Sequence, residues 1–335
     1  MKVAFQTNQI SVRGTEVAVY DYAHFNETLL NNESFVITKK THIFPHDKLA
    51  VEKFRNRFGD RLYFYKDQSD LDSFLEKNDI KIFYAIKSGT NDGVMSRLPG
   101  VKNCMHCVFQ YYQPHGDVYA YIANWLSVKM NNGNSPVVPH ILDLPDIDDD
   151  LRKELNIPED AVVLGRHGGN TSFSLPFAFD AMNDILSKRK DIYFLFLNTN
   201  KHCDRSNRRM LEHERIIHLP QTADLIQKTK FINTCDAMFH ARINGECFPL
   251  SLGEFSIRNK PIITWTGKNV EKMYQHTYDT GAKELLKDNA IFYDDYIDLF
   301  SILETFQPQP DKEWNNYKEY TPENVMDIFK KVFLD

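Results

Sequence analysis

Two glutamates eight positions apart, Glu246 and Glu254, flank a proline that opens an apolar stretch, in the text CDAMFHARINGECFPLSLGEFSIRNKPIIT over residues 235–264. Asn244-Gly245 breaks what precedes it, and Pro249, which has no N–H to leave unpaired, suits the first position of a helix. A helix start offers unpaired backbone N–H groups and the positive end of a dipole, a combination that suits a diphosphate. Leu250, Ser251 and Leu252 supply those donors. Carboxylates are unwelcome beside an anion unless they face hydroxyl groups, and Glu246 and Glu254 can accept hydrogen bonds from the hydroxyls of a sugar and a ribose. A sugar nucleotide carries both kinds of group.

These residues need elements to hold them. CDAMFHA reads as a buried strand, the segment from Pro249 as a helix and PIIT as a second strand, so the stretch is a strand–loop–helix–strand unit. The text AVVLGRHGGNTSF, beginning at Ala161, reads as a strand entering a glycine-rich loop, with a helix following from about Pro176. Arg166 at the strand end can grip phosphate oxygens as a fork, and Gly168 and Gly169 allow the backbone to come close to them. A structural arginine beside a turn is the plainer alternative.

Glutamates at this spacing are common enough that the flanking text has to carry the argument. GECFPLSLGE, after a strand ending in HAR and before KPIIT, resembles the E-x7-E region of retaining GT-B glycosyltransferases, in particular glycosyltransferase family 4. The resemblance runs over nearly the whole chain, strongest at 161–172 and 235–264. It implies an α/β chain of the GT-B class, two Rossmann-like parallel-sheet domains facing a central cleft. It also implies transfer of a sugar from a nucleotide-diphosphate donor to a hydroxyl acceptor, with retention of configuration and without a metal or other cofactor. In these terms Glu246 holds the donor sugar and Glu254 the ribose. Arg166, Gly168, Gly169, Phe248, Leu250 and Ser251 line the donor site. RGTEVAVYDYAHFNETLL resembles the first loop and helix of the family, which places Gly14 at the donor, although Arg13 stands where the family often has another glycine. A family histidine at a strand end near the donor sugar matches His106, with His115 in the following loop QPHGD as the reserve. The family's lysine a few residues after Arg166 is missing, since none follows until Lys188. Either that second cation is lost or Arg242 in HARING supplies it.

Length and composition agree with this reading. The 335 residues suit two domains of about 150 each. Strands alternating with helices predict mostly parallel sheets: residues 2–9, FVITK, RLYFYK, IKIFYAIKS, KNCMHCVF and VYAYIANWL in the first half, DIYFLFLNT, RIIHLPQ and NAIFYDD in the second. The Asn/Gly/Pro-rich stretch 131–145 reads as a linker, which sets domains at 1–140 and 141–320. TPENVMDIFKKVFLD reads as a capped amphipathic helix, and 321–335 in GT-B chains returns to the first domain.

Other function classes fall away. A net charge of −6 argues against a nucleic-acid partner, and the G-x-G-x-x-G fingerprint of a dinucleotide site is missing. There is no transmembrane run or signal-like N-terminus, which points to a cytoplasmic protein whose membrane contact, if any, is peripheral. Five scattered cysteines do not make a disulfide framework; Cys104 and Cys107 form a lone C-x-x-C whose members would face opposite sides of a strand. Asp146, Asp148, Asp149 and Asp150 include a D-x-D spacing, but they run into the helix-like LRKEL, where capping is the simpler account. The rival function is a sugar-nucleotide or glycan-binding module that keeps the site without turnover.

Overall fold

A computed structural model of the chain describes residues 1–41, 45–201, 210–270, 272 and 279–335. Cys203 lies outside the described residues. The chain divides into two compact units, Met1–Ile141 with Glu319–Asp335, and Leu142–Lys318.

The first unit is built on six parallel strands, β1 (Lys2–Thr7), β2 (Glu33–Lys39), β3 (Leu62–Tyr65), β4 (Ile82–Lys87), β5 (Lys102–Cys107) and β6 (Val118–Tyr121), in the order β3-β2-β1-β4-β5-β6. Helices α1 (Gly14–Thr28), α2 (Lys48–Phe58), α3 (Gln68–Lys77) and α4 (Asn124–Asn131) fall between or after them, as the crossovers of a parallel sheet require. Asp47 and Asp67 cap α2 and α3 by accepting from Ala50 N and Asp70 N, so those helices begin where the sequence supplies a capping carboxylate. The terminal helix Pro322–Phe329 and the turn that continues it belong to this unit. Its Phe329 ring stacks on Phe5 and Tyr22 at centroid distances of 6.1 and 5.2 Å.

The second unit repeats the plan with β7 (Val162–His167), β8 (Ile192–Leu197), β9 (Ile216–Leu219), β10 (Ala237–His240), β12 (Ile262–Trp265) and β14 (Ile291–Tyr293), ordered β14-β12-β10-β7-β8-β9. A separate parallel pair joins β11 (Gly245–Glu246) to β13 (Asp279–Thr280). Helices α5 (Pro176–Lys188), α6 (Leu225–Thr234) and α7 (Leu250–Ile257) follow β7, β9 and β11. A core of Phe173, Phe179, Phe194, Phe196, Phe239 and Trp265 fills one face of the sheet. Counted along the chain, both sheets run 3-2-1-4-5-6, so each has a topological switch point between its first and fourth strands, where open α/β sheets bind ligands beyond the carboxyl ends. In the second unit that point lies between β7 and β10.

Two local expectations need correction. Residues 151–156 form turns and not a helix: Asp150 accepts from Arg152 N at 2.8 Å, and one helical-type bond, Leu155 N to Leu151 O, is not propagated. Pro249 takes the capping position of α7, with an extended ψ of 95°, one residue before the first helical turn.

Candidate functional site

The last two residues of β7 carry the first polar side chains of the site. Arg166 and His167 are both buried, and strand alternation sends them to opposite faces. Arg166 turns into its own loop: Nη2 donates to Gly169 O at 3.1 Å and to the Ser172 hydroxyl, and Nη1 donates to the Thr199 hydroxyl. Gly168 adopts φ +143°, and a Cβ there would lie 3.1 Å from Arg166 Nη2, so only glycine lets the loop fold over the guanidinium. Much of the fork expected on phosphate is thus used inside the protein.

His167 faces α7. Its ring stacks on Phe255 at 5.7 Å, and Nε2 lies 3.0 Å from Glu254 Oε2. Lys228, in the first turns of α6, meets the other oxygen, Oε1, at 2.6 Å. Burial alone lifts a carboxyl pKa, but the Lys228 ammonium and then His167 outweigh it and hold Glu254 at about 2. His167 is itself pushed below the ordinary histidine value by burial, which Glu254 offsets in part. Lys228 is therefore the full positive charge on this carboxylate.

Glu246 has a parallel arrangement. Gly245, at φ +65°, turns the chain after β10, and the β11–β13 pairing of Glu246 with Thr280 fixes the backbone. Arg242 Nη1 lies 3.1 Å and His240 Nε2 3.5 Å from Glu246 Oε1. Burial raises this carboxyl, and Arg242, His240 and the more distant Arg166 overcome it, so its pKa also sits at about 2. Arg242 thus has a carboxylate partner at the site, one that the sequence did not settle.

Beyond Glu246 the chain enters α7. No side chain caps it, and its first internal bond runs from Gly253 N to Pro249 O at 3.1 Å. The amides of Leu250, Ser251 and Leu252 therefore have no carbonyl inside the helix. Ser251 is buried and Leu250 half-buried, while Phe248 packs edge-on to Tyr317 at 6.0 Å.

The first-unit residues are placed differently. His106 is fully buried; Nδ1 pairs with the Tyr84 hydroxyl at 2.7 Å and Nε2 with Val138 O at 2.8 Å. Burial drives its pKa down to about 3. Both nitrogens are engaged, and the ring packs among Tyr22, His140 and Phe333. His115 is half-buried in its loop, with Nδ1 2.7 Å from Gln113 O. Gly14 is the exposed first residue of α1. Two residues on, Glu16 is buried and accepts from the Ser11 hydroxyl at 2.6 Å; burial raises its pKa. Cys104 and Cys107 are both buried, which pushes each thiol up to about 12. The D-x-D carboxylates Asp146 and Asp148 extend into solvent and approach Arg258 at 3.5 and 3.9 Å.

Sequence reasoning missed His167, Lys228, His240 and Thr264. His167 stood beside Arg166 in the glycine-rich text, and His240 stood in HAR, so both were in view. Nothing local marks Lys228, whose partner is 26 positions away.

No protein-family profile and no curated protein matches the chain. Solved structures do. Anabaena HepE in complex with UDP-glucose is 14% identical over 99% of this chain and 95% of that one, with a TM-score of 0.66. A TarM variant of S. aureus, solved with fondaparinux, alpha-GlcNAc-glycerol and UDP, is 7% identical over the full length of both chains, at 0.70. The N-terminal domain of a Candida albicans trehalose-6-phosphate phosphatase is 9% identical over 99% of this chain and 96% of that one, at 0.60. The fold is GT-B, two parallel six-stranded sheets with flanking helices. Among the described residues, no helix is long and apolar enough to cross a membrane.

Proposed function

We propose that the protein is a glycosyltransferase that moves a sugar from a nucleotide-diphosphate donor to a hydroxyl acceptor, with retention and without a metal, in the cytoplasm. The observation that carries the reading is the grouping at one end of the second sheet. There the ionised Glu246 and its cation Arg242 stand just before the uncapped start of α7, with Arg166 at a greater distance. The named complexes of Anabaena HepE with UDP-glucose and of TarM with UDP support a nucleotide sugar as the ligand. The N-terminal domain of a protein named as a phosphatase is similar to the same fold, and fold alone does not decide activity.

In this reading 141–320 holds the donor, and 1–140 with 321–335 receives the acceptor. Glu246 accepts from hydroxyls of the donor sugar. Glu254 accepts from the ribose through lone pairs that Lys228 and His167 leave open. The amides of Leu250, Ser251 and Leu252, with Arg242, offset the charge that grows on the departing diphosphate as the sugar–oxygen bond breaks. The leaving oxygen is a phosphate, so a strong general acid is not needed. The acceptor oxygen forms the new bond to the sugar as the sugar–phosphate bond breaks, and its proton passes to the departing phosphate oxygen.

The use of Arg166 inside its own loop favours one other reading, a binding module without turnover. Incubation with a panel of nucleotide sugars and acceptors, followed by assay for free nucleoside diphosphate, separates the two. Release of nucleotide supports the transferase, binding without release supports the module, and neither binding nor release sinks both.

A further inference from the structure

Glu246 sits on a strand of two residues, and its outer partner Arg242 is about one-third exposed, so neither holds the carboxylate in a fixed direction by itself. A second hold comes from the core side. His240, the last residue of β10, is 3% exposed and lies directly opposite Thr264 of β12 in the strand register. Its Nδ1 is 2.8 Å from the fully buried Thr264 hydroxyl, and its carbonyl accepts from the Tyr293 hydroxyl at 2.8 Å. The ring is thus fixed at one nitrogen and through the backbone. Nε2 is buried, makes no hydrogen bond of good geometry, and lies 3.5 Å from Glu246 Oε1.

A neutral imidazole has one N–H and one acceptor nitrogen, and an ionised carboxylate only accepts. The proton that suits Glu246 is therefore on Nε2, which leaves Nδ1 to accept from the threonine O–H. A hydroxyl can serve as that donor, whereas a second carboxylate or carbonyl in its place would select the opposite tautomer.

We propose that Thr264 and His240 form a relay that positions Glu246 for the donor sugar: the threonine hydroxyl fixes the ring with its proton on Nε2, and Nε2–H steadies Oε1. His240 and Thr264 are positioning residues in this scheme, and the carboxylate is the group that meets the sugar. The inference rests on the glycosyl-transfer reading of the site.

Two measurements on the full chain test it. Nitrogen-15 spectra of labelled histidines are expected to show the His240 proton on Nε2 with Nδ1 as the acceptor; Thr264→Val should release the ring into a tautomer mixture and Thr264→Ser should restore it. In kinetics with the nucleotide sugar turned over fastest in the panel, Thr264→Val should lower kcat/KM about tenfold while affinity for the sugar-free nucleoside diphosphate stays within about twofold, as expected when one hydrogen bond to the sugar-binding group is lost. Thr264→Ser should recover most of the rate. A ring protonated on Nδ1 or on both nitrogens in the wild type overturns the relay alone. Equal loss of sugar nucleotide and sugar-free nucleotide in Thr264→Val also overturns it, because that pattern marks a merely structural role. A wild-type protein that turns over no nucleotide sugar overturns the glycosyl-transfer reading and the positioning role with it.

Discussion

Glu246 and Glu254 lie on either side of one helix start, and each is held ionised, with a pKa of about 2, by a cation and a histidine. Their surroundings differ. Glu254 has a side chain 8% exposed beside a lysine 11% exposed, and its two partners divide its oxygens between them. Glu246 is 18% exposed beside an arginine 35% exposed, and both partners make their nearest approach to the same oxygen. The same charge state therefore serves two purposes. The deeper pair ties α7 to α6 and β7 and leaves only the remaining lone pairs of Glu254 for the ribose of the proposed donor, whereas the shallower Glu246 has more of its surface open to the proposed sugar. A depressed pKa by itself does not distinguish a binding carboxylate from a structural one.

The strongest way to break this contrast is to remove each carboxylate. Glu254→Ala leaves Lys228 buried without its counter-ion and is expected to destabilise the protein by about 3–5 kcal/mol, with a matching drop in Tm. Glu254→Leu combined with Lys228→Met removes both charges and should recover most of that loss; no recovery in the double variant would show that the ion pair is not the source. Glu246→Ala should lower stability by no more than about 1 kcal/mol, because Arg242 can return to water. The same variant should cut turnover by about 2.7–4 kcal/mol of transition-state stabilisation. Steady-state rates and melts on the two alanine variants supply the comparison, and a reversed order of the two stability losses would overturn it.

Acid provides a milder probe. Both carboxyls have folded pKa values near 2 against an ordinary 4.5, so between those values the unfolded chain binds protons that the folded chain does not. Their contribution is complete above about pH 4.5 and is lost as the pH falls toward 2. His167, kept neutral by burial, steepens the fall by starting it below its ordinary 6.5. Denaturant titrations across this range should show the descent flattened in the Glu254→Leu, Lys228→Met variant. An unchanged slope would remove Glu254 from the account.

Arg242 and Arg166 sharpen the comparison further. Arg242→Met should lower turnover by about tenfold with little change in Tm, whereas Arg166→Met removes a buried guanidinium that donates to the half-buried hydroxyls of Thr199 and Ser172 and should lower both. A normal rate for Arg242→Met would leave its contact with Glu246 as an ordinary ion pair. The smallest effect is expected at the D-x-D carboxylates: Asp146→Asn with Asp148→Asn, or excess chelator on the wild type, should leave turnover within assay error. Loss on chelation that manganese restores would reject the metal-free mechanism.

The amino-acid sequence by itself determined the alternation of strands and helices, the glycine-rich loop after β7 and the position of α7, because periodicity, proline, glycine and capping residues act over a few neighbours. The same local rules failed at LRKEL, where a turn closed on Asp150 is followed by a single helical-type bond, and at Pro249, whose own backbone angles made it the cap. Tertiary structure decided the rest. His106 matched a strand-end position, yet the fold occupies both its nitrogens with Tyr84 and Val138. Lys228 carried no signal, since only the packing of α6 against α7 brings it to Glu254. His240 and Thr264 lie 24 positions apart and meet only through the register of β10 and β12. Burial, and the cations that overcome it at Glu246 and Glu254, are properties of the packed sheets and are not written in the spacing of residues along the chain.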